Sequence, residues 1–221
     1  MDGKSMSWND IGNHLSKLPE NSSAKISLNG KTTLPEAVIS AIKDRKLTVE
    51  FVYDSVKSWV VRGDKIGIVS AAEFAAFPGN ADSSALRGVF GVDLKVGGTK
   101  VPAELKLAFR KGFAGQFANV YKLNGGVLEF QRCVKVGADA TAVIPGADAA
   151  GEYVVMVCEF SDVPGDADNY GVLSALDASA VLKEAVGMAK SANAAMCDFN
   201  GDGEVNALDA AAVLKAVVGV R

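Results

Sequence analysis

Asp198-Phe199-Asn200-Gly201-Asp202-Gly203-Glu204-Val205-Asn206-Ala207-Leu208-Asp209 decides how the carboxyl-terminal end of this chain folds. It sets oxygen-bearing side chains at loop positions 1, 3, 5, 9 and 12, with a glycine at position 6. That spacing wraps a short loop around a calcium ion, a hard cation that takes about six to eight oxygen ligands. The glycine permits the sharp turn in mid-loop. The last carboxylate, Asp209, is short and stands at the start of an apolar helix.

The loop has a partner 32 residues upstream, Asp166-Ala167-Asp168-Asn169-Tyr170-Gly171-Val172-Leu173-Ser174-Ala175-Leu176-Asp177. Aligned over 166–187 and 198–219, the two copies are identical at 12 of 22 positions. Each loop runs into a helix of nearly the same text, Ala-Leu-Asp-Ala-Ser-Ala-Val-Leu-Lys from Ala175 and Ala-Leu-Asp-Ala-Ala-Ala-Val-Leu-Lys from Ala207. Repetition of this kind reports architecture directly. Two copies make a pseudo-twofold unit too small to bury much apolar surface. Two calcium ions supply what such a core lacks, since binding energy at a site that is disordered without metal is folding energy.

A duplicated loop of the form D-x-[ND]-x-D-G-x-x-N-x-x-D, followed by an Ala/Val/Leu helix ending in Lys and then Gly, resembles type I-like dockerin modules. The resemblance covers residues 166–221, about a quarter of the chain. It implies binding to a cohesin module on a scaffoldin or cell-surface anchor, in a cellulosome. Carried over by position, the second site takes Asp198, Asn200, Asp202, Glu204 by its carbonyl, Asn206 and Asp209. The first takes Asp166, Asp168, Val172 by its carbonyl, Ser174 and Asp177. Tyr170 departs from the pattern at position 5, where a phenol is a poor calcium ligand, so a water or backbone oxygen fills that slot or the first site is weak.

The resemblance also implies the surface that meets cohesin. In the first repeat it comprises Ala175, Leu176, Leu182, Lys183 and Gly187, and in the second Ala207, Leu208, Leu214, Lys215 and Gly219. The two sets are chemically identical. A module with twofold-related faces of equal chemistry can dock in two orientations related by about half a turn. Leu176 and Leu208 then serve as apolar anchors, with Lys183 and Lys215 as rim charges. Burial of these leucines between the two helices is the competing reading, and helical spacing leaves both open.

Composition narrows the rest. A hydrophobic content of 49% with 22% charged residues fits a globular chain rather than a disordered one. A net charge of −3 gives no basic footprint for nucleic acid. No apolar run is long enough to span a membrane. Residues 1–5 lack the regions of a secretory leader. Because cohesins act outside cells, the chain reads as the carboxyl-terminal part of a longer secreted protein. Cys133, Cys158 and Cys197 show no metal spacing and an odd count, so they read as buried thiols. Cys133 and Cys158 can pair only if their strands are neighbours. His14, the single histidine, reads as a surface residue.

The first 161 residues read as a separate module, divisible into 1–80 and 81–161, with 162–221 as the dockerin. Trp8, Ile11, Leu15 and Leu18 fall at helical spacing. A strand over 24–28 ends at the turn pair Asn29-Gly30. Thr33 caps a helix with Pro35 in its first turn and Val38, Ile39 and Ile42 as its apolar stripe. Strands follow over 47–53 and 58–62. From Val89 onward, short strands over 89–96, 104–109, 119–123, 127–134, 141–144 and 152–160 alternate with Gly- and Asn-rich turns, which indicates a β-sandwich. This portion is loosely similar to the X modules found beside dockerins. The whole is α+β: an N-terminal helix/strand unit and a β-sandwich-like module, then a small all-α dockerin with two calcium loop–helix motifs.

Three roles fit the N-terminal portion. It is a support or spacer for the dockerin, a carbohydrate-binding module, or an enzyme. A sugar platform needs a planar row of exposed aromatics, and the candidates are Phe51, Tyr53, Trp59 and Tyr121. Aromatics make up only 7% of the chain, which is thin for that use. Paired carboxylates for glycoside hydrolysis would come from Glu36, Glu50, Asp54, Glu73, Asp93, Glu104 and Glu129, yet none has a catalytic context. The reading favoured is a non-catalytic assembly module, with polysaccharide degradation as the work of the complex it joins. The short connection Ser161-Asp162-Val163-Pro164-Gly165 leaves little freedom, so contact between module and dockerin is expected.

Overall fold

The computed structural model describes residues 6–146 and 150–220; residues 1–5, read above for a leader, lie outside that set. The elements in the first half are α1 (Trp8–Leu15), β1 (Ser23–Ser27), β2 (Thr33–Leu34), α2 (Glu36–Asp44), β3 (Thr48–Val52), β4 (Lys57–Arg62), β5 (Ala72–Glu73), β6 (Ala76–Pro78) and β7 (Phe90–Val96). Then come β8 (Glu104–Ala108), β9 (Phe117–Asn124), β10 (Val127–Lys135), β11 (Thr141–Ile144), β12 (Gly151–Cys158), α3 (Ala175–Ala185) and α4 (Ala207–Val217). A sheet-rich N-terminal region and a helical C-terminal region make the fold α+β. No helix is long and apolar enough to cross a membrane. The chain divides into two compact units, one of residues 1–81, 93–114 and 138–153, the other of 82–92, 115–137 and 154–221.

The first unit is built on a five-stranded sheet in the order β1-β3-β4-β8-β11. β1 pairs in parallel with β3, and α2 lies in the crossover that a parallel pair requires. Val38, Ile39 and Ile42 of α2 are fully buried. Phe74 stacks on Phe51 at 5.7 Å and on Trp59 at 5.6 Å between ring centroids. β3 and β4 form a hairpin whose turn is closed by Asp54, which accepts from the backbone N–H of Val56 and Lys57, both at 2.8 Å. Thr33 does not cap α2. It pairs with Glu73 in the β2–β5 ribbon, and Pro35 occupies the N-cap position with no side-chain bond. The ribbon holds Thr33 extended, which takes its hydroxyl out of the capping geometry.

The second unit contains β9, β10, parts of β7 and β12, and both C-terminal helices. The strands run β10-β9-β12-β7. The β9–β10 hairpin turns on Gly125 and Gly126, whose φ of 57° and 88° suit a two-residue turn that joins Asn124 to its partner Val127. Phe117 through Tyr121 and Val154 through Cys158 are continuous buried runs, as befits strands inside a sheet. β9 separates β10 from β12, so Cys133 and Cys158 are not on neighbouring strands. All three cysteines are free; Cys158 and Cys197 are buried and Cys133 half-buried. His14 is exposed, as its sequence setting suggests.

The four aromatic candidates for a sugar platform form no exposed row. Phe51 and Trp59 are fully buried and Tyr121 is nearly so. Tyr53 is half-buried, with the Lys57 ammonium 5.5 Å from its ring centroid.

Connection of strands to helices is made by a polar cluster in the second unit. The buried Asn119 side chain of β9 donates to the Phe160 carbonyl at 2.9 Å and accepts from Asp162 N–H at 3.0 Å. Asp162 also pairs with Arg87 and accepts the Tyr121 hydroxyl. Burial, then that carboxylate, drives the Tyr121 phenol pKa well above its usual value. Asn193, buried in the segment that joins α3 to α4, donates to the Ser161 carbonyl at 2.8 Å. These buried polar groups satisfy one another, which fixes one geometry for the connection.

Candidate metal and docking site

Each C-terminal helix begins with the same device. Ser174 caps α3 and accepts from Leu176 N–H at 3.1 Å, while Asp177 accepts from Ser174 N–H at 2.7 Å. Asn206 caps α4 and accepts from Leu208 N–H at 2.7 Å, while Asp209 accepts from Asn206 N–H at 2.9 Å. Both are capping boxes, which satisfy the free N–H groups of a helix start. In each, the second oxygen of the aspartate turns into the loop. Asp177 accepts from Asp168 N–H and Asp209 from Asn200 N–H, both at 3.1 Å. The position-1 aspartates complete the wrap. Asp166 accepts from Tyr170 and Gly171 N–H at 3.0 and 2.8 Å. Asp198 accepts from Gly201, Asp202 and Gly203 N–H at 2.9 to 3.1 Å.

In the first loop, Asp166, Asp168 and Asp177 bring carboxylate oxygens within 4.8 Å of one another. Asp166 and Asp177 are fully buried. No ion pair among the described residues reaches any of the three. Burial first, and the neighbouring Asp177 charge second, push the Asp168 pKa up to about 6. Three carboxylates held this close without a cationic side chain fit a divalent cation, and all-oxygen donors fit calcium. Tyr170 is 72% exposed, so its ring stands mostly in solvent, away from a part in the cluster.

The second loop has Asp198, Asn200, Asp202, Asn206 and Asp209 at the matching loop positions, but among the described residues only the first loop gathers three carboxylates within 4.8 Å of one another. Burial raises the Asp209 pKa, but backbone donors from Asn206, Asn200 and Phe199 outweigh it and hold the carboxyl below the usual range. Asp198 is only half-buried, in contrast to Asp166.

The helices pack through small residues. Ala178 and Val181 of α3 meet Ala210 and Val213 of α4 in a buried cluster with Ala167 and Cys197. Leu173, Phe199 and Val205 close its rim. Leu176 and Leu208 take no part; they are 69% and 66% exposed, and Leu182 and Leu214 follow at 42% and 43%. Of the two readings left open by spacing, the structure therefore shows the leucines on the surface. Ala175, Lys183, Gly187, Ala207, Lys215 and Gly219 are exposed beside them. Val186 and Val218 are also exposed to matching extents, and the sequence reading did not single them out. Their signal was present, since both fall one turn beyond the leucine of each repeat.

Duplicated acidic loops, each wound onto the capped start of a short helix, define a small two-helix module. Residues 164–218 match the family model for the dockerin type I domain. The match spans about a quarter of the chain and supports a dockerin module, a calcium-binding unit for assembly with cohesins. Searches of curated proteins and of solved structures found no match.

Proposed function

We propose that this chain is a non-catalytic assembly component whose C-terminal dockerin, residues 162–221, binds two calcium ions and then docks a cohesin of a scaffoldin or cell-surface anchor outside the cell. Residues 1–161 act as an X-type module that supports and spaces the dockerin. The observation that carries this reading is the matched pair of repeats. The same capping boxes, the same bonds from loop N–H groups to the first and last aspartates, and the same exposed leucines occur twice.

Asp166, Asp168, Ser174 and Asp177, with the Val172 carbonyl, hold the first ion. Asp198, Asn200, Asp202, Asn206 and Asp209, with the Glu204 carbonyl, hold the second. Bound calcium supplies positive charge that offsets the packed carboxylates and ties each loop to its helix. Asp177 and Asp209 then orient α3 and α4, since each bridges loop and helix through its two oxygens. The oriented helices present Leu176, Leu182 and Lys183 on one side and Leu208, Leu214 and Lys215 on the other. Near-equal exposure of the two sets supports docking in either orientation.

Calorimetry and cohesin capture test the reading together. Calcium should raise the melting temperature of the helical segment and permit capture, and EDTA should reverse both while the β strands stay folded. Melting that is indifferent to calcium would overturn it.

A further inference from the structure

The two calcium loops diverge at positions 4 and 5, where the first has Asn169-Tyr170 and the second Gly201-Asp202. Tyr170 costs the first loop a ligand. Asn169 does something that Gly201 cannot. Its backbone takes the left-handed conformation, φ 62°, that Gly201 also adopts at φ 75°. Its side chain then reaches out of the loop to the end of the strand region, accepting from Ser161 N–H at 2.9 Å and donating to the Glu159 carbonyl at 3.0 Å. Next to it, a Cβ on Gly171 would lie 2.7 Å from Phe117 of β9, so the loop backbone is pressed against that strand. Ser161 is itself fixed by Asn193, and Asp162 by Asn119. Every one of these contacts lies within the second unit. No equivalent contact to a strand is made by Gly201 or Gly203, around whose Cβ positions there is open space.

We propose that Asn169 is a positioning residue for calcium: it clamps the first loop to the 159–163 connection, which Asn119 ties to β9, so that the first site is shaped before the ion arrives with a support that the second loop, with Gly201 in that position, lacks. The lost ligand at Tyr170 is offset by a smaller ordering cost on binding, the general gain from a preformed site. Calcium at the first site and order in the connection are then one coupled event. This rests on the calcium reading above.

The test uses the full chain and calcium chloride in isothermal titration. Asp198→Ala leaves the first loop as the binding site, and Asp166→Ala leaves the second. In the Asp198→Ala background, Asn169→Gly keeps the left-handed backbone and removes only the clamp; it should weaken calcium binding by about tenfold, the scale expected from losing two hydrogen bonds. In the Asp166→Ala background the same change should alter binding by less than about twofold. Affinity in the Asp198→Ala background that stays within about twofold overturns the clamp and leaves the calcium reading standing. Absence of calcium uptake by the unsubstituted chain overturns both. Hydrogen exchange on the unsubstituted protein decides the matter even if Asn169→Gly unfolds. Calcium should increase protection over 159–163, and protection there that ignores calcium overturns the proposal.

Discussion

The first and second loops share a hydrogen-bond plan but not a setting. In the first, Asp166 and Asp177 are fully buried and Asn169 and Gly171 lean on the strand region. In the second, Asp209 is buried but Asp198 is partly open, and the glycines at positions 4 and 6 face open space. One copy has more carboxylate and amide side chains at loop positions 1, 3, 5, 9 and 12 and fewer contacts to the strand region; the other has the reverse. On the proposed reading, a repeat keeps its outer face constant while its loop chemistry drifts, with scaffold contacts taking over what a lost ligand supplied.

Chelation is the widest way to strain this comparison. EDTA should melt α4 and the second loop first, with α3 retained longer through the contacts of the first loop to the strand region. Far-ultraviolet circular dichroism during a calcium titration would resolve two steps, and a single step shared by both helices would show that the clamp does not separate them. Docking comes next in size. Leu176→Asp or Leu208→Asp alone should weaken cohesin capture modestly, because the untouched face still serves, and the double change should nearly eliminate it. Abolition by one single change would show that one orientation is used. Core truncation tests the equality of the repeats. Val181→Ala and Val213→Ala should each cost about 1–3 kcal/mol in the calcium-loaded form, measured by denaturant melts, because both are fully buried in the same cluster.

The smallest effect is a pH difference in calcium-free protein. Asp168 carries a folded pKa of about 6, above the ordinary value of 3.8. Between those values the folded state holds the proton more tightly than the unfolded one, so its contribution to stability falls as pH rises from about 4 to 6. Asp209 is shifted downward, so its contribution is present above the ordinary carboxyl value and lost as pH falls through the folded one. Asp168→Asn should flatten the first trend and leave the second, as read by melts across pH 3 to 7. A melt profile that Asp168→Asn leaves unchanged would remove the crowding argument for the first loop.

Both loops, both helices and most strands were legible in the sequence, because ligand spacing and alternation are local signals. Asp177 and Asp209 illustrate this: one aspartate three residues into each helix serves cap and loop together. Thr33 was misread because its role is settled by β5, a partner about forty residues away that local text does not announce. The leucines were undecidable for a related reason. Ala178 and Val181 sit on one face and Leu176 and Leu182 on the other, so apolar spacing alone names two faces and not which is covered. Asn119, Asn169 and Asn193 were passed over because a lone asparagine in strand or loop text carries no sign of what it will bind.

The connection at 161–165 also bears on durability. A protease needs several residues of extended, accessible backbone to make a cut, and tips of that kind are where nicking concentrates. Here Ser161 and Gly165 are buried, Ser161 is tied to Asn193, and Asp162 is tied to Asn119 and Arg87. A protease would therefore part the C-terminal helices from the strands by cutting at that joint only after the joint had first come undone.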